Sequence, residues 1–209
     1  MKSYTNLDLV RYEEMYQSFD GGHNFQHCVS VRQMAVLLAK KYLPDKIELA
    51  YIAATLHDIG LSVDRENHES EGEKLIRQDQ YLIGNLSPSD FEELCHAVKE
   101  HRASTGNPQT ILAKIISDAD RGGGCGGSAE AFNRAYQYGL KNHPDLTDDE
   151  QILEAGRHQS QKFSPGSYGR RTYFPETEKR LSQIYDPIIE AYNEHNFEFL
   201  KNLVHPLVK

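Results

Sequence analysis

The sequence predicts an all-α fold. Apolar residues recur at helical spacing through most of the 209 residues, convincing period-2 alternation is missing, and several segments open or close on helix signals. Residues 28–43, CVSVRQMAVLLAKKYL, place Val29, Met34, Leu37, Leu38 and Leu43 on such a spacing. Residues 47–57, IELAYIAATLH, are apolar almost throughout, which predicts a buried central helix with Gly60 as its stop. Residues 69–83 form a third helix. Ser87 and Pro88 followed by Asp90, Glu92 and Glu93 read as a capped, dipole-matched start for a helix running to about His101. Further helices are expected over 109–119, 128–141, 147–163 and 175–203, the last amphipathic and kinked at Pro187.

At 209 residues one domain is expected, with enough chain for a core that needs no staples. Charged residues at 26% and hydrophobic residues at 38% are ordinary for a folded soluble chain. The net charge of −8 argues against a protein that wraps nucleic acid or lies on anionic lipid. No apolar run approaches the roughly 18 residues of a membrane span, and the N-terminus carries no apolar signal stretch. Three cysteines without paired spacing, Cys28, Cys95 and Cys125, fit a reducing compartment and no zinc-finger pattern. The expectation is a cytoplasmic protein with no membrane partner. Its oligomeric state is not readable.

The ten histidines are the first unusual feature. Taken in order, His27, His57-Asp58, His68, His101 and Asp120 are separated by 30, 11, 33 and 19 residues, each at or near the end of an expected helix. Imidazoles and carboxylates gathered from separate helix ends are the ligands of a transition-metal or mixed site. Neighbours on a helix project about 100° apart, so His57 and Asp58 are best placed at a helix end beside a wide site.

The order His, His-Asp, Asp resembles the HD superfamily of metal-dependent phosphohydrolases. His27 in GHNFQHCVSV, His57-Asp58 in LHDIGL and Asp120 in SDADR carry the resemblance, over roughly residues 20–125. It implies a single HD-type helical bundle over residues 1–209, with additional C-terminal helices over about 128–209. It also implies a metal set of His27, His57, Asp58 and Asp120. His68 and His101 resemble the extra ligands of two-metal members, in which Asp58 would bridge both ions. In a one-metal site they would instead face substrate phosphate. The implied cofactor is one or two divalent ions of Mn, Fe, Co, Ni, Zn or Mg. The implied activity is hydrolysis of a phosphomonoester, phosphodiester or phosphoanhydride of a small phosphorylated metabolite, plausibly a nucleotide, with His57 and Asp58 as the catalytic pair. Two alternatives stand beside it: a di-iron oxygenase of the same superfamily, and a module that senses a nucleotide or phosphate without turnover. In such oxygenases the final aspartate lies further beyond the last histidine than the 19 residues here.

Arg102, after His101, and Arg121, after Asp120, are the candidates for binding substrate phosphate, with surface ion pairs as the alternative. His23 reads as a capping or supporting residue for His27, His96 as structural, and His143, His158, His195 and His205 as surface histidines. Cys28 and Cys95 read as small buried hydrophobes, and the aromatic residues over 173–199 as core. Arg170 and Arg171 read as a solvated loop more readily than as a lid. The glycine run 122–127 is a departure from the family pattern. It is expected to end or bend the helix carrying Asp120, and a phosphate-binding backbone nest is conceivable there; no Walker A loop follows. Leu61 stands where the branch that cleaves cyclic dinucleotides carries Lys, and no Gly-Tyr-Pro element appears, so that substrate is disfavoured.

Overall fold

A computed structural model describes residues 3–19, 22–123 and 126–205. Among them the regular structure is helical and no strand occurs, in agreement with the expected fold class. The chain divides into two compact units, Met1–Gly124 and Cys125–Lys209.

The first unit holds α1 (Val10–Met15), α2 (Phe25–Tyr42), α3 (Ile47–Leu56), α4 (His68–Gln78), α5 (Gln80–Asn85), α6 (Pro88–Lys99) and α7 (Ile111–Gly123). As its composition predicts, α3 is the central helix. It packs against α2, α6 and α7, and Leu49, Ile52, Ala53 and Leu56 are buried with Val31, Leu38, Leu94, Val98, Ile115 and Ile116. The serine before Pro88 caps α6 as expected, its hydroxyl accepting from the Asp90 backbone N–H.

Three expectations about element ends are corrected. Residues 69–83 make two helices, because Asp79 takes an extended conformation and its carboxylate caps the second from Tyr81 and Leu82. The central helix stops at Leu56, ahead of Gly60, which lies in a 3-10 turn over Ile59–Ser62. A Cβ on Gly60 would sit 1.9 Å from the His68 carbonyl oxygen, so glycine here permits that turn to lie against the start of α4. Helix α7 runs on through Gly122 to Gly123 before ending. Gly123 is buried where α7 crosses α2, and a Cβ would approach the Ser30 carbonyl oxygen to 2.7 Å. Gly123 thus serves helix packing, whereas Gly124 and Cys125 lie outside the described residues.

The second unit holds α8 (Ser128–Asn142), α9 (Asp148–Phe163), α10 (Pro175–Asn193) and α11 (Phe197–Val204). Its core gathers Phe132, Ile152, Phe163, Leu181, Ile184, Tyr185, Ile188 and Leu200, with Phe163 and Tyr185 stacked at 3.6 Å. The expected aromatic core is present. Helix α10 continues through Pro187, which removes the donor that would meet the Gln183 carbonyl. The Ser128 hydroxyl sits at that spot and donates to the Ile184 carbonyl at 2.6 Å. The segment 175–203 breaks further on, at His195, whose φ of 57° no helix accommodates.

Arg170 is neither in a solvated loop nor on a lid. It is buried, donates to the Phe163 carbonyl at 2.6 Å and to Ser182 at 2.9 Å, and pairs with Asp186. It thereby satisfies the C-terminal end of α9 and anchors the 164–171 loop.

Candidate metal centre

Five elements of the first unit bring the histidines and aspartates together. Asn24 caps α2 by accepting from the His27 N–H at 3.1 Å, which sets His27 in the first turn. His57 follows the last residue of α3 with helical backbone angles, and the chain leaves the helix at Asp58, whose backbone is in the bridge region (φ −103°, ψ 4°). His68 opens α4. His101 lies just past α6, where the Ser117 hydroxyl of α7 holds its carbonyl at 2.8 Å. Asp120 is in the last turn of α7. The carbonyl ends of α3, α6 and α7 therefore converge on one place, and each favours a cation.

The donor atoms fall into two groups. His27, His57 and Asp58 form one, and Asp58, His68 and His101 the other, each with its ligand atoms within 4.8 Å of one another. Asp58 belongs to both. Its Oδ2 lies 3.0 Å from His57 Nε2 and 3.5 Å from His27 Nε2, while its Oδ1 lies 3.5 Å from His68 Nε2 and 3.6 Å from His101 Nε2. Asp120 flanks the first group, 3.2 Å from His27 Nε2, and is its most exposed carboxylate at 27%. All six predicted ligand positions are thus neighbours.

Three of the imidazoles are held in one tautomer. His57 Nδ1 donates to the Ala54 carbonyl at 2.8 Å, His68 Nδ1 to Arg65 at 3.1 Å and His101 Nδ1 to Val98 at 2.6 Å. A carbonyl only accepts, so each Nδ1 carries the hydrogen and each neutral Nε2 offers a lone pair. Two of those lone pairs face each other, His68 Nε2 against His101 Nε2 at 3.2 Å, and the third, on His57, lies 3.2 Å from His27 Nε2, whose own Nδ1 is buried without a partner among the described residues. The opposed lone pairs of His68 and His101 repel unless a cation lies between them, and His57 Nε2 needs a cation or a proton from His27. Asp58 Oδ2, although close to two rings, is buried and makes no hydrogen bond. This donor set fits a divalent ion in each group.

Without metal, a proton takes the cation's place. Burial alone would lower His27, but the Asp120 and Asp58 carboxylates outweigh it and raise the ring to about 9. Burial would likewise lower His101, yet Asp58 raises it, whereas burial and His101 together lower His68. The neighbouring imidazoles hold Asp58 well below the carboxylate range despite its burial. The consequence for stability has a definite sign. His27 is more basic folded than unfolded, so its contribution is complete below its unfolded value near 6.5 and is lost as pH rises through about 9. Asp58 acts oppositely, its contribution being lost as acid protonates it below about pH 4. Thermal melts of chelator-treated protein are expected to fall in temperature between about pH 6.5 and 9, and metal-loaded protein should show no such fall. A flat profile without metal would contradict this picture.

The family model for the HD domain matches residues 24–121, from the cap of α2 to the residue after Asp120. This chain carries an HD domain. No curated protein and no solved structure gave a match to the chain. The match encloses all six clustered residues.

Both predicted phosphate-binding arginines in the HD domain are engaged. The Arg121 side chain is largely covered and pairs with the buried Asp118 at 2.8 Å. Arg102, 36% exposed, donates to the Glu66 carbonyl, which its guanidinium nearly touches, and lies 3.4 Å from Glu69. His23 packs its ring edge against His27 at 5.8 Å, consistent with a supporting place. Cys28 and Cys95 are buried free thiols, each pushed up to about 11 by burial. Among the described residues no helix is long and apolar enough to cross a membrane. Two neighbours of the site gave no motif signal. Glu69 lies 3.4 Å from His68 Nδ1 and ties the 102–105 loop to α4 through Arg102 and Thr105. Tyr16 lies 3.4 Å from His57 Nδ1. Glu69 adjoins a predicted ligand and could have been marked from that. Tyr16 precedes the motif in a stretch with no periodic pattern.

Proposed function

We propose that the HD domain is a metal-dependent phosphohydrolase that cleaves a phosphate bond of a small phosphorylated metabolite, plausibly a nucleotide, in the cytoplasm. The observation that carries the reading is the shared carboxylate: Asp58 offers one oxygen to each of two histidine pairs whose Nε2 atoms converge. His27, His57, Asp58 and Asp120 would hold one divalent ion, and Asp58, His68 and His101 a second. Such ions supply Lewis acidity that activates water and offsets charge on phosphoryl oxygens.

The chain's own residues do the rest. Backbone carbonyls orient three imidazoles, and Asp58 sets the distance between the two groups. The partly exposed Asp120 carboxylate lies where substrate and water would approach. Arg102 is the better placed of the two arginines for a phosphoryl oxygen, because it is partly exposed and a guanidinium has five donors to share between Glu69 and a ligand. Arg121, closed in against Asp118, would act chiefly by holding the last turn of α7.

Elemental analysis of protein purified without chelator, followed by a screen of phosphorylated metabolites with Mn²⁺, Co²⁺, Ni²⁺ and Mg²⁺, tests the reading. Stoichiometric metal and phosphate release are expected. Iron at two per chain with consumption of O₂ would favour an oxygenase instead, and tight nucleotide binding with no turnover under any metal would favour a sensing module. Arg102→Ala is expected to raise KM about tenfold or more while leaving metal content unchanged, as loss of a charge-assisted contact predicts.

A further inference from the structure

Tyr16 stands outside the matched HD domain, in a 3-10 turn over Tyr16–Ser18 that follows α1. It is nonetheless among the largest fully buried side chains of the protein. Its ring meets Phe19 edge-on at 5.1 Å. Its hydroxyl donates to the Thr55 carbonyl at 2.9 Å, with the phenol oxygen 3.4 Å from His57 Nδ1.

The carbonyls of Ala54 and Thr55 lie in the last turn of α3, where a helix leaves its carbonyls without intrahelical partners. His57 takes the first of them with its own Nδ1, and Tyr16 takes the second. The turn that aims His57 is thus closed from one side by the ligand itself and from the other by Tyr16. Thr55 is also gripped through its side chain, for Arg32 of α2 donates to Oγ1 at 2.8 Å. The same guanidinium holds Glu13 of α1 at 2.7 Å, so the helix that delivers Tyr16 is fastened to the residue that Tyr16 caps.

We propose that Tyr16 is a positioning residue for the first metal group, its hydroxyl fixing the end of α3 so that His57 Nε2 faces His27 and Asp58. The segment before the HD domain is therefore a working part of the site. This rests on the metal reading above.

Tyr16→Phe keeps the ring and its packing and removes only the hydroxyl. The test compares wild type, Tyr16→Phe and His57→Ala by equilibrium dialysis with Mn²⁺, by the visible absorption of bound Co²⁺, and by far-ultraviolet circular dichroism. Tyr16→Phe is expected to keep its helix content, to bind the first ion about tenfold more weakly, and to shift the Co²⁺ bands, as loss of a hydrogen bond that fixes the turn carrying a ligand predicts. Wild-type affinity together with a wild-type Co²⁺ spectrum in Tyr16→Phe would overturn the assignment. Should Tyr16→Phe not fold, Glu13→Gln loosens the same fastening without touching His57, and no loss of affinity there would overturn it equally. If wild type and His57→Ala take up Co²⁺ alike, the metal reading falls, and the Tyr16 assignment with it; that result is recognised without any change at Tyr16.

Discussion

Asp58→Ala is expected to empty both metal groups at once. Among the described residues Asp58 is the one whose two oxygens face two sets of imidazoles, so its loss takes a ligand from each. Removing an outer partner of a ligand costs about 10–100-fold in metal affinity, and removing a shared ligand should exceed the top of that range for both ions. His68→Ala is the control, because it takes a ligand from the second group only. Metal content by elemental analysis reads the difference: Asp58→Ala should carry none, and His68→Ala should keep the first ion. Stability reads it independently. An ion at about a hundredfold excess over Kd adds roughly 2.7 kcal/mol to the folded state, equivalent to about 5–10 °C in Tm for a chain of this size. Wild type should show that rise with Mn²⁺ or Co²⁺ and Asp58→Ala should not. Full metal content in Asp58→Ala would refute the bridging role. Phosphate release, where found, should disappear with the metal.

Gly60→Ala is the second large effect, and it acts through backbone alone. The added methyl would lie 1.9 Å from the His68 carbonyl oxygen and 2.5 Å from the Gly72 nitrogen, neither of which is the flexible end of a side chain. The start of α4 must move, and His68 is its first residue. Overpacking of this kind costs about 1–3 kcal/mol, and a rigid backbone neighbour argues for the upper part of that range. Urea unfolding followed by circular dichroism should show the loss. Metal titration should show weakened binding at the second group, with the first less affected. Gly84→Ala in α5 supplies the contrast, since nothing lies within 4 Å of the added Cβ. There the substitution should be neutral or stabilising by up to about 1 kcal/mol. Equal stability of the two variants would mean that the close approach at Gly60 is not needed.

The histidine and aspartate positions were legible because metal-site chemistry limits the residue types and because their order along the chain resembles the HD pattern. The helices that carry them were legible from apolar periodicity, and α3 from its nearly continuous apolar run, seven of whose ten residues are buried. What escaped was set by contacts between distant segments. Asp79 divides an apolar segment by capping, which the periodicity of residues 69–83 conceals. Gly60 looks like a helix stop in sequence, whereas its position is fixed by how closely α4 approaches. Pro187 looks like a kink, and a serine 59 positions earlier in the chain attends to the carbonyls around it. Arg170, which reads as a solvated residue, is a buried cap for α9 because Asp186 and Ser182 come to it from α10.

The sequence by itself determined the helical class, which follows from local spacing, and the identity of the donor residues, which follows from side-chain chemistry together with the resemblance to the HD pattern. The resemblance implied how those donors divide, with Asp58 bridging, and only the tertiary structure supplied the geometry: Asp58 Oδ2 toward His27 and His57, and Oδ1 toward His68 and His101. The tertiary structure also decided that Arg121 closes on Asp118 and that Tyr16 reaches His57. The reason is geometric. A ligand's direction depends on where its helix ends and on which carbonyl orients its ring, and those are settled by packing among residues far apart in the chain.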